Sequence, residues 1–133
     1  LSIAKQNAEA NGVVVQFIEA NILEWENQDL LFDVIVSNPP YVCESEKEMM
    51  SPNVLNHEPH LALFVENNNP LLFYKAIVEM SNRNLTKEGL IYFEINEFLA
   101  EETKSLFLST SFERVELKAD IFSKKRMLCA KKR

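Results

Sequence analysis

The amino-acid sequence predicts an α/β fold with a parallel sheet, and three observations carry that expectation. Val34-Ile35-Val36 is a run of consecutive β-branched residues, the pattern of a central strand covered on both faces. The run breaks off at Asn38-Pro39-Pro40-Tyr41. Its two prolines have no N–H for a ladder, hold φ at about −65° and push the residue before each into an extended conformation. Two more apolar strand-like stretches, Val13 to Ile18 and Leu90 to Ile95, are separated from it by segments of loop and helical character.

Taken in order, Leu1 to Asn11 reads as the end of a helix, with Leu1, Ala4 and Ala8 on one stripe and Asn11-Gly12 as its stop. Val13 to Ile18 is the next strand, with Glu19-Ala20-Asn21-Ile22 at its carboxyl end, and Trp25 fills the core or its rim in the loop that follows. The central strand covers Asp33 to Ser37. Cys43 to Leu55 is polar, charged and carries Pro52, so it reads as a mobile cover, closed by Glu58-Pro59-His60-Leu61-Ala62-Leu63. Asn69-Pro70 starts a helix as N-cap and first residue, with Leu72, Phe73, Ala76, Ile77 and Met80 on its buried stripe. Thr86 to Gly89 turns the chain into the strand Leu90 to Ile95. Glu97 to Ser109 is helical, with Phe98, Leu99, Leu106 and Phe107 inward. Phe112 to Ala119 alternates, with Val115, Leu117 and Ala119 on one face, and Arg126 to Ala130 is the final strand.

Composition narrows the function classes. The 133 residues are 47% hydrophobic, which fits one domain with a core of fair size. A net charge of −6 argues against a general nucleic-acid surface, although Lys124, Lys125, Arg126, Lys131, Lys132 and Arg133 gather at the end as a solvated strand. Cys43 and Cys129 match no metal-ligand spacing and read as reduced thiols of a cytoplasmic protein. His57 and His60 lack the further partners a metal site needs, so no metal is expected. No apolar stretch approaches the roughly 20 residues of a membrane span.

The candidate chemistry sits at the end of the central strand, where open α/β sheets bind ligands. A planar nitrogen, in an amide or an exocyclic amine, has a delocalised lone pair and must be held and turned toward an electrophile. The Asn38 side-chain oxygen can accept one of its N–H groups and the Pro39 carbonyl the other, since proline keeps its acceptor. Tyr41 offers a flat face. The other reading of these residues is a proline-stiffened turn.

Asn38-Pro39-Pro40-Tyr41-Val42, followed by Glu58-Pro59 and Ala62-Leu63, resembles the signature of the HemK/PrmC family of protein-(glutamine-N5) methyltransferases. The resemblance implies a partial Rossmann-like class I S-adenosylmethionine-dependent methyltransferase fold, a three-layer α/β/α arrangement with the first two strands missing. It also implies that residues 1–133 form a single domain, the C-terminal fragment of a catalytic domain, and that this fragment alone is inactive. Only Gly12 and Gly89 occur, so the glycine-rich cofactor turn is expected upstream.

By the same resemblance the cofactor is S-adenosyl-L-methionine, and the partners are class I peptide-chain release factors, methylated on the glutamine of a Gly-Gly-Gln motif. Asn38, Pro39, Pro40 and Tyr41 would be catalytic. Asn21, Ile22 and Asn38 would hold the cofactor, with Asn21 in place of the family's usual acidic residue. Asn38, Pro39, Pro40, Tyr41, Val42, Glu58 and Pro59 would bind the substrate. Glu94, Asp120 and Arg126 match family positions, and Asn96 stands where glycine is common, tolerated if it takes φ > 0. The ordinary readings are a turn residue for Asn21, a surface carboxylate for Glu58 and a surface pair for Asp120 and Arg126.

Two other functions fit the tetrapeptide: a nucleic-acid adenine-N6 or guanine-N2 methyltransferase acting on a flipped base, and a non-enzymatic Rossmann-like binding domain. In the class I order the strands at Val13 to Ile18 and Asp33 to Ser37 are separated by the two expected upstream. The chain is therefore expected to pair those two strands with each other, or to pair them between copies in a non-native dimer.

Overall fold

A computed structural model of the chain describes residues 1–26, 29–108 and 110–133. Helix α1 (Ser2–Ala10) is stopped where Gly12 takes φ 62°, as the Asn11-Gly12 pair implies. A 3-10 turn (Ile22–Glu24) precedes strand β1 (Phe32–Ser37). Strands β2 (Val42–Cys43) and β3 (Phe64–Val65) make a small parallel ribbon. Between them lie a 3-10 segment (Glu44–Met49), helix α2 (Pro52–His57) and a 3-10 turn (His60–Ala62). Helix α3 (Leu72–Asn84) runs into β4 (Leu85–Glu94), followed by a 3-10 turn (Glu97–Leu99) and α4 (Ala100–Ser105). Strands β5 (Phe112–Ala119) and β6 (Lys125–Lys132) close the chain as a hairpin.

The main sheet has the order β1-β4-β6-β5, with β1 parallel to β4 and the other pairs antiparallel. Its core lies on one face. Ile35, Ile91, Phe93, Leu128 and Ala130 are buried against Tyr74, Ile77 and Val78 of α3, Ala100 of α4, and Phe107. Tyr74, Ile77, Val78 and Ser81 follow the i, i+3, i+4, i+7 spacing of a buried helix stripe. A chain of rings, Tyr74 to Phe93 to Phe107 to Phe112, crosses this core at centroid separations of 5.3, 6.2 and 5.2 Å. Tilted and edge-on pairs of this kind add roughly 0.5–1.5 kcal/mol each beyond burial.

Several expectations are corrected here. β1 is not covered on both faces. It is an edge strand with Ile35 its one buried residue, and Val36 is 76% exposed on the open face beside Val34 and Tyr92. Residues 13–18 are not a strand and form no ladder with β1 or with any other described strand. β-Branched residues favour a strand only when a ladder partner takes their backbone groups, and here Val13, Val14 and Val15 face water instead. The segment from Cys43 to Leu55, read as a cover, is organised into short helices.

Helix α3 starts at Leu72, later than Asn69-Pro70 suggests, because the Asn69 carbonyl closes a turn onto the Leu72 N–H at 3.2 Å. Its buried stripe is turned so that Tyr74 and Val78 lead, although Ile77 and Met80 are buried as expected. Phe98 is 65% exposed rather than inward, whereas Phe107 is buried. The expected helix end at Ser109 lies outside the described residues. Asn96 takes φ −66°, so its place in the chain does not depend on positive φ. The terminal basic residues are tied in: the Lys132 ammonium donates to the Asn82 and Leu85 carbonyls, and Lys131 pairs with Glu88.

Thr86 to Gly89 is a bulge inside β4 rather than a turn before it, with Glu88 at φ 68° and an irregular register between Phe32 and Val34. A Cβ on Gly89 would stand 2.9 Å from the Thr86 carbonyl oxygen and 3.2 Å from that of Asp33. Gly89→Ala is therefore expected to lower stability by about 1–3 kcal/mol in denaturant titration. An unchanged midpoint would show that β1 and β4 do not need this close approach.

Candidate active site

The β1–β4 register sets the site. Ser37 lies opposite Phe93, so Asn38 and Glu94 leave their strands side by side at the carboxyl ends. Pro39 is buried and Tyr41 half-buried, and Asn38 is exposed. The Asn38 side-chain amide has no hydrogen bond to another described residue. The Tyr41 phenol donates to Glu94 Oε1 at 2.6 Å, and the Tyr74 phenol donates to the Glu94 carbonyl at 3.0 Å. Beyond Tyr41, the Val42 N–H donates to the Leu63 carbonyl at 3.0 Å, which draws residues 58–63 against the tetrapeptide.

These contacts enclose a cavity of 510 Å³ whose polar lining is Asn38, Pro39, Tyr41, Glu58 and Glu94 and whose apolar lining is Val42, Met50, Val54, Ala62 and Leu63. Two stretches some twenty residues apart in sequence thus meet in one place. Pro40 and Pro59 stand beside the cavity rather than in its lining. Pro59 shapes the approach, its carbonyl accepting from the Ala62 N–H at 2.8 Å.

Asn21 lies apart from this group. It lines a second cavity of 340 Å³ with Ile18, Ala20, Glu24, Trp25 and Glu26, and its Oδ1 accepts from the Leu23 N–H at 3.1 Å. Ile22 packs against the core. Trp25 also packs there as expected, and its indole N–H donates to Asn84 Oδ1 at 3.2 Å. Arg126 pairs with Glu97 at 2.9 Å and more loosely with Asp120 at 3.7 Å. Backbone N–H groups of the hairpin turn, that of Lys124 foremost, hold the Asp120 carboxyl below the usual range. His60 hydrogen-bonds the Leu55 carbonyl, and no cluster of three metal-ligating side chains occurs among the described residues. Nor is any described helix long and apolar enough to cross a membrane.

The place of Glu94 in the cavity was available from one rule, that parallel strands present ligand groups at their carboxyl ends. Met50 and Val54 were hidden in a segment whose polarity suggested only a cover.

Burial, then the hydrogen bond to Glu94, pushes the Tyr41 phenol up to about 12, so it remains a neutral donor. Because folding raises this pKa, the associated stability is complete below pH 10 and is lost as pH rises through about 12. Burial likewise raises Tyr74. In an ultraviolet phenolate titration Glu94→Gln should bring one tyrosine part of the way back down, burial keeping the rest of the shift. An identical titration curve would show that the carboxylate does not hold the ring.

A parallel pair extended by an antiparallel hairpin, with Asn-Pro-Pro-Tyr at the end of its edge strand, is part of a class I methyltransferase fold. No family model matches the chain. It is 50% identical over 128 residues to the release factor glutamine methyltransferase of Flavobacterium psychrophilum, covering 96% of this chain and 45% of that protein. The enzyme of the same name from Bacteroides thetaiotaomicron is 40% identical over 131 residues, covering 98% and 47%, and that from Lactococcus lactis is 36% identical over 132 residues, covering 98% and 48%. Over the stretch that it shares with them, the chain belongs to the release factor glutamine methyltransferase family. It spans about half the length of these curated relatives.

Proposed function

We propose that this chain supplies the amide-binding half of a protein-(glutamine-N5) methyltransferase, acting on the glutamine of class I peptide-chain release factors in the cytoplasm. The observation that carries the reading is the shared cavity in which Asn38, Pro39 and Tyr41 meet Glu58, Ala62 and Leu63. An amide entering it has its two N–H groups taken by Asn38 Oδ1 and the Pro39 carbonyl, with its plane against Tyr41. Pro40 stiffens the peptide between these groups, while Val42, Glu58 and Pro59 shape the substrate side. Asn38 and Pro39 need no strong base for this work, since orientation alone is worth roughly 7–11 kcal/mol in favourable cases.

S-adenosylmethionine, when bound, supplies the electrophilic methyl that an amide so oriented takes up. The described cavity lining fits a sulfonium cation, because it holds the carboxylates Glu58 and Glu94 and no Lys or Arg. Asn38 would face the cofactor from the strand end. Ile22 and Asn21 would flank its adenine, Asn21 keeping its side-chain amide and an oxygen lone pair beyond the bond to Leu23. The cavity has no cationic group for the cofactor's carboxylate among its described lining residues. The two carboxylates also disfavour a nucleic-acid substrate.

In a protein of full family length carrying this segment, Asn38→Ala should cut methylation of a Gly-Gly-Gln peptide more than about tenfold and weaken cofactor binding far less, since the lost interaction is chiefly to the amide. Unaltered turnover would remove Asn38 from the reaction, and label transferred to adenine instead of glutamine would replace the reading with the nucleic-acid one.

As a 133-residue chain by itself, the protein should have no methylating activity and bind S-adenosylmethionine weakly, with no micromolar binding in titration calorimetry. The free side of β1, whose N–H and C=O groups lack strand partners among the described residues, would pair with a second copy. Sedimentation should show concentration-dependent dimers. A monomer at all concentrations would refute the pairing, and a micromolar dissociation constant the weak binding.

A further inference from the structure

Asn96 is 4% exposed, and its side chain makes contacts on both sides of the junction between β4 and the tetrapeptide. Its Oδ1 accepts from the Phe98 N–H at 2.9 Å and so starts the 3-10 turn at Glu97–Leu99. Its Nδ2 donates to the Tyr41 carbonyl at 3.2 Å and to both carboxylate oxygens of Glu46, at 3.3 and 3.1 Å. Glu46 Oε2 in turn accepts from the Cys43 N–H at 2.7 Å. One buried amide just after β4 and one carboxylate from the 3-10 segment Glu44–Met49 thus grip the backbone at Tyr41 and Cys43.

We infer that Glu46 and Asn96 are positioning residues that fix the exit of the Asn38-Pro39-Pro40-Tyr41 peptide so that Asn38 and the Pro39 carbonyl face the amide together. The inference rests on the proposed amide site. The entry of the peptide is held by the β1–β4 ladder up to Ser37 opposite Phe93. Its exit has no such ladder to β4. There the phenol of Tyr41 reaches Glu94, and the plane of the peptide leaving the site is held from both edges, the Tyr41 carbonyl by the Asn96 amide and the Val42 N–H by the Leu63 carbonyl.

Two prolines make the intervening segment stiff, so a rotation at Tyr41 is transmitted to Pro39 rather than absorbed. The grip is also strong for its size. A bond from an amide to a carboxylate is charge-assisted, and breaking it leaves a buried donor. Neither residue lines the 510 Å³ cavity, so their effect on the amide passes through the backbone they hold.

Three variants test this: Asn96→Asp, Glu46→Gln and the double exchange, each in a protein of full family length and at a temperature where circular dichroism shows all of them folded. In Asn96→Asp the new carboxylate keeps the acceptor for Phe98 but loses the donated bonds and faces the Glu46 charge. This variant is expected to lower kcat on the glutamine peptide about tenfold or more, with KM for S-adenosylmethionine within roughly twofold, as misplacement without lost cofactor contacts demands.

In the exchange, the glutamine amide introduced by Glu46→Gln can donate to the new carboxylate while its oxygen still accepts from the Cys43 N–H, so part of the lost kcat returns. An unchanged kcat in Asn96→Asp overturns the inference, and a loss that the exchange does not relieve overturns the role of Glu46. If the wild type itself fails to methylate the peptide, the proposed function has failed, and the grip is then read without activity. Displacing Glu46 bares the Cys43 thiol and removes a charge that, after burial, raises its pKa. Alkylation of Cys43 mapped by mass spectrometry, with Cys129 as internal reference, should be faster in Asn96→Asp than in the wild type. Equal rates in the two overturn the grip itself.

Discussion

Parallel pairing of β1 with β4 brings two strand ends level, and the rest of the site follows from that register. Ser37 opposite Phe93 means that the residues after each strand position, Asn38 and Glu94, leave the sheet at the same height. A parallel ladder has no tight turn between its strands, so a long connection is needed, and α2, β3 and α3 are that connection. The chain uses its first half to build the cavity wall: Met50, Val54, Glu58, Ala62 and Leu63 all come from it. Gly89 permits the pairing at its start, where the carbonyls of Asp33 and Thr86 leave no room for a side chain.

The same sheet divides polar and apolar work between its faces. Side chains alternate across a strand, so Ile35, Ile91 and Phe93 go to the core while Val34, Val36 and Tyr92 go to the open face. Where the buried face reaches the strand ends, its groups become polar without being left unpaired. Tyr74 bonds the Glu94 carbonyl, Tyr41 the Glu94 side chain, and Asn96 the Tyr41 carbonyl. No buried side-chain nitrogen or oxygen among the described residues lacks a partner. Such a network is rigid because each loss would strand a buried donor or acceptor.

Much of this was readable from residue order. The strand ending at Asn38, the strand through Phe93 and Glu94, the hairpin from Phe112 and the stop at Asn11-Gly12 all follow from periodicity and backbone chemistry local to each segment. What failed was whatever depends on a partner. Val13-Val14-Val15 has strand propensity but no ladder partner among the described residues, and propensity alone does not form a ladder. Val34 and Val36 look like core because they are β-branched, yet burial is decided by what packs on the face. In the site, Asn38 and Tyr41 were visible through the prolines between them, since that spacing has few structural uses. Glu46 and Asn96 were not, because an isolated acid and an isolated amide carry no signal until the fold brings them together.

That contrast explains why the two halves of the site differ in how they are held. Asn38 stays exposed, with its amide uncommitted among the described residues, as the proposed role of orienting an incoming amide requires. Asn96, the same side chain much further along the chain, is buried and spends both ends on the protein, accepting from Phe98 and donating to Tyr41 and Glu46. Orientation by the first has value only if its backbone does not move, since the gain from alignment is lost with displacements of about an ångström. Two prolines restrict rotation within the peptide but do not fix where it points. Its direction is set at the ends, by the ladder before Asn38 and by the bonds at Tyr41 after it.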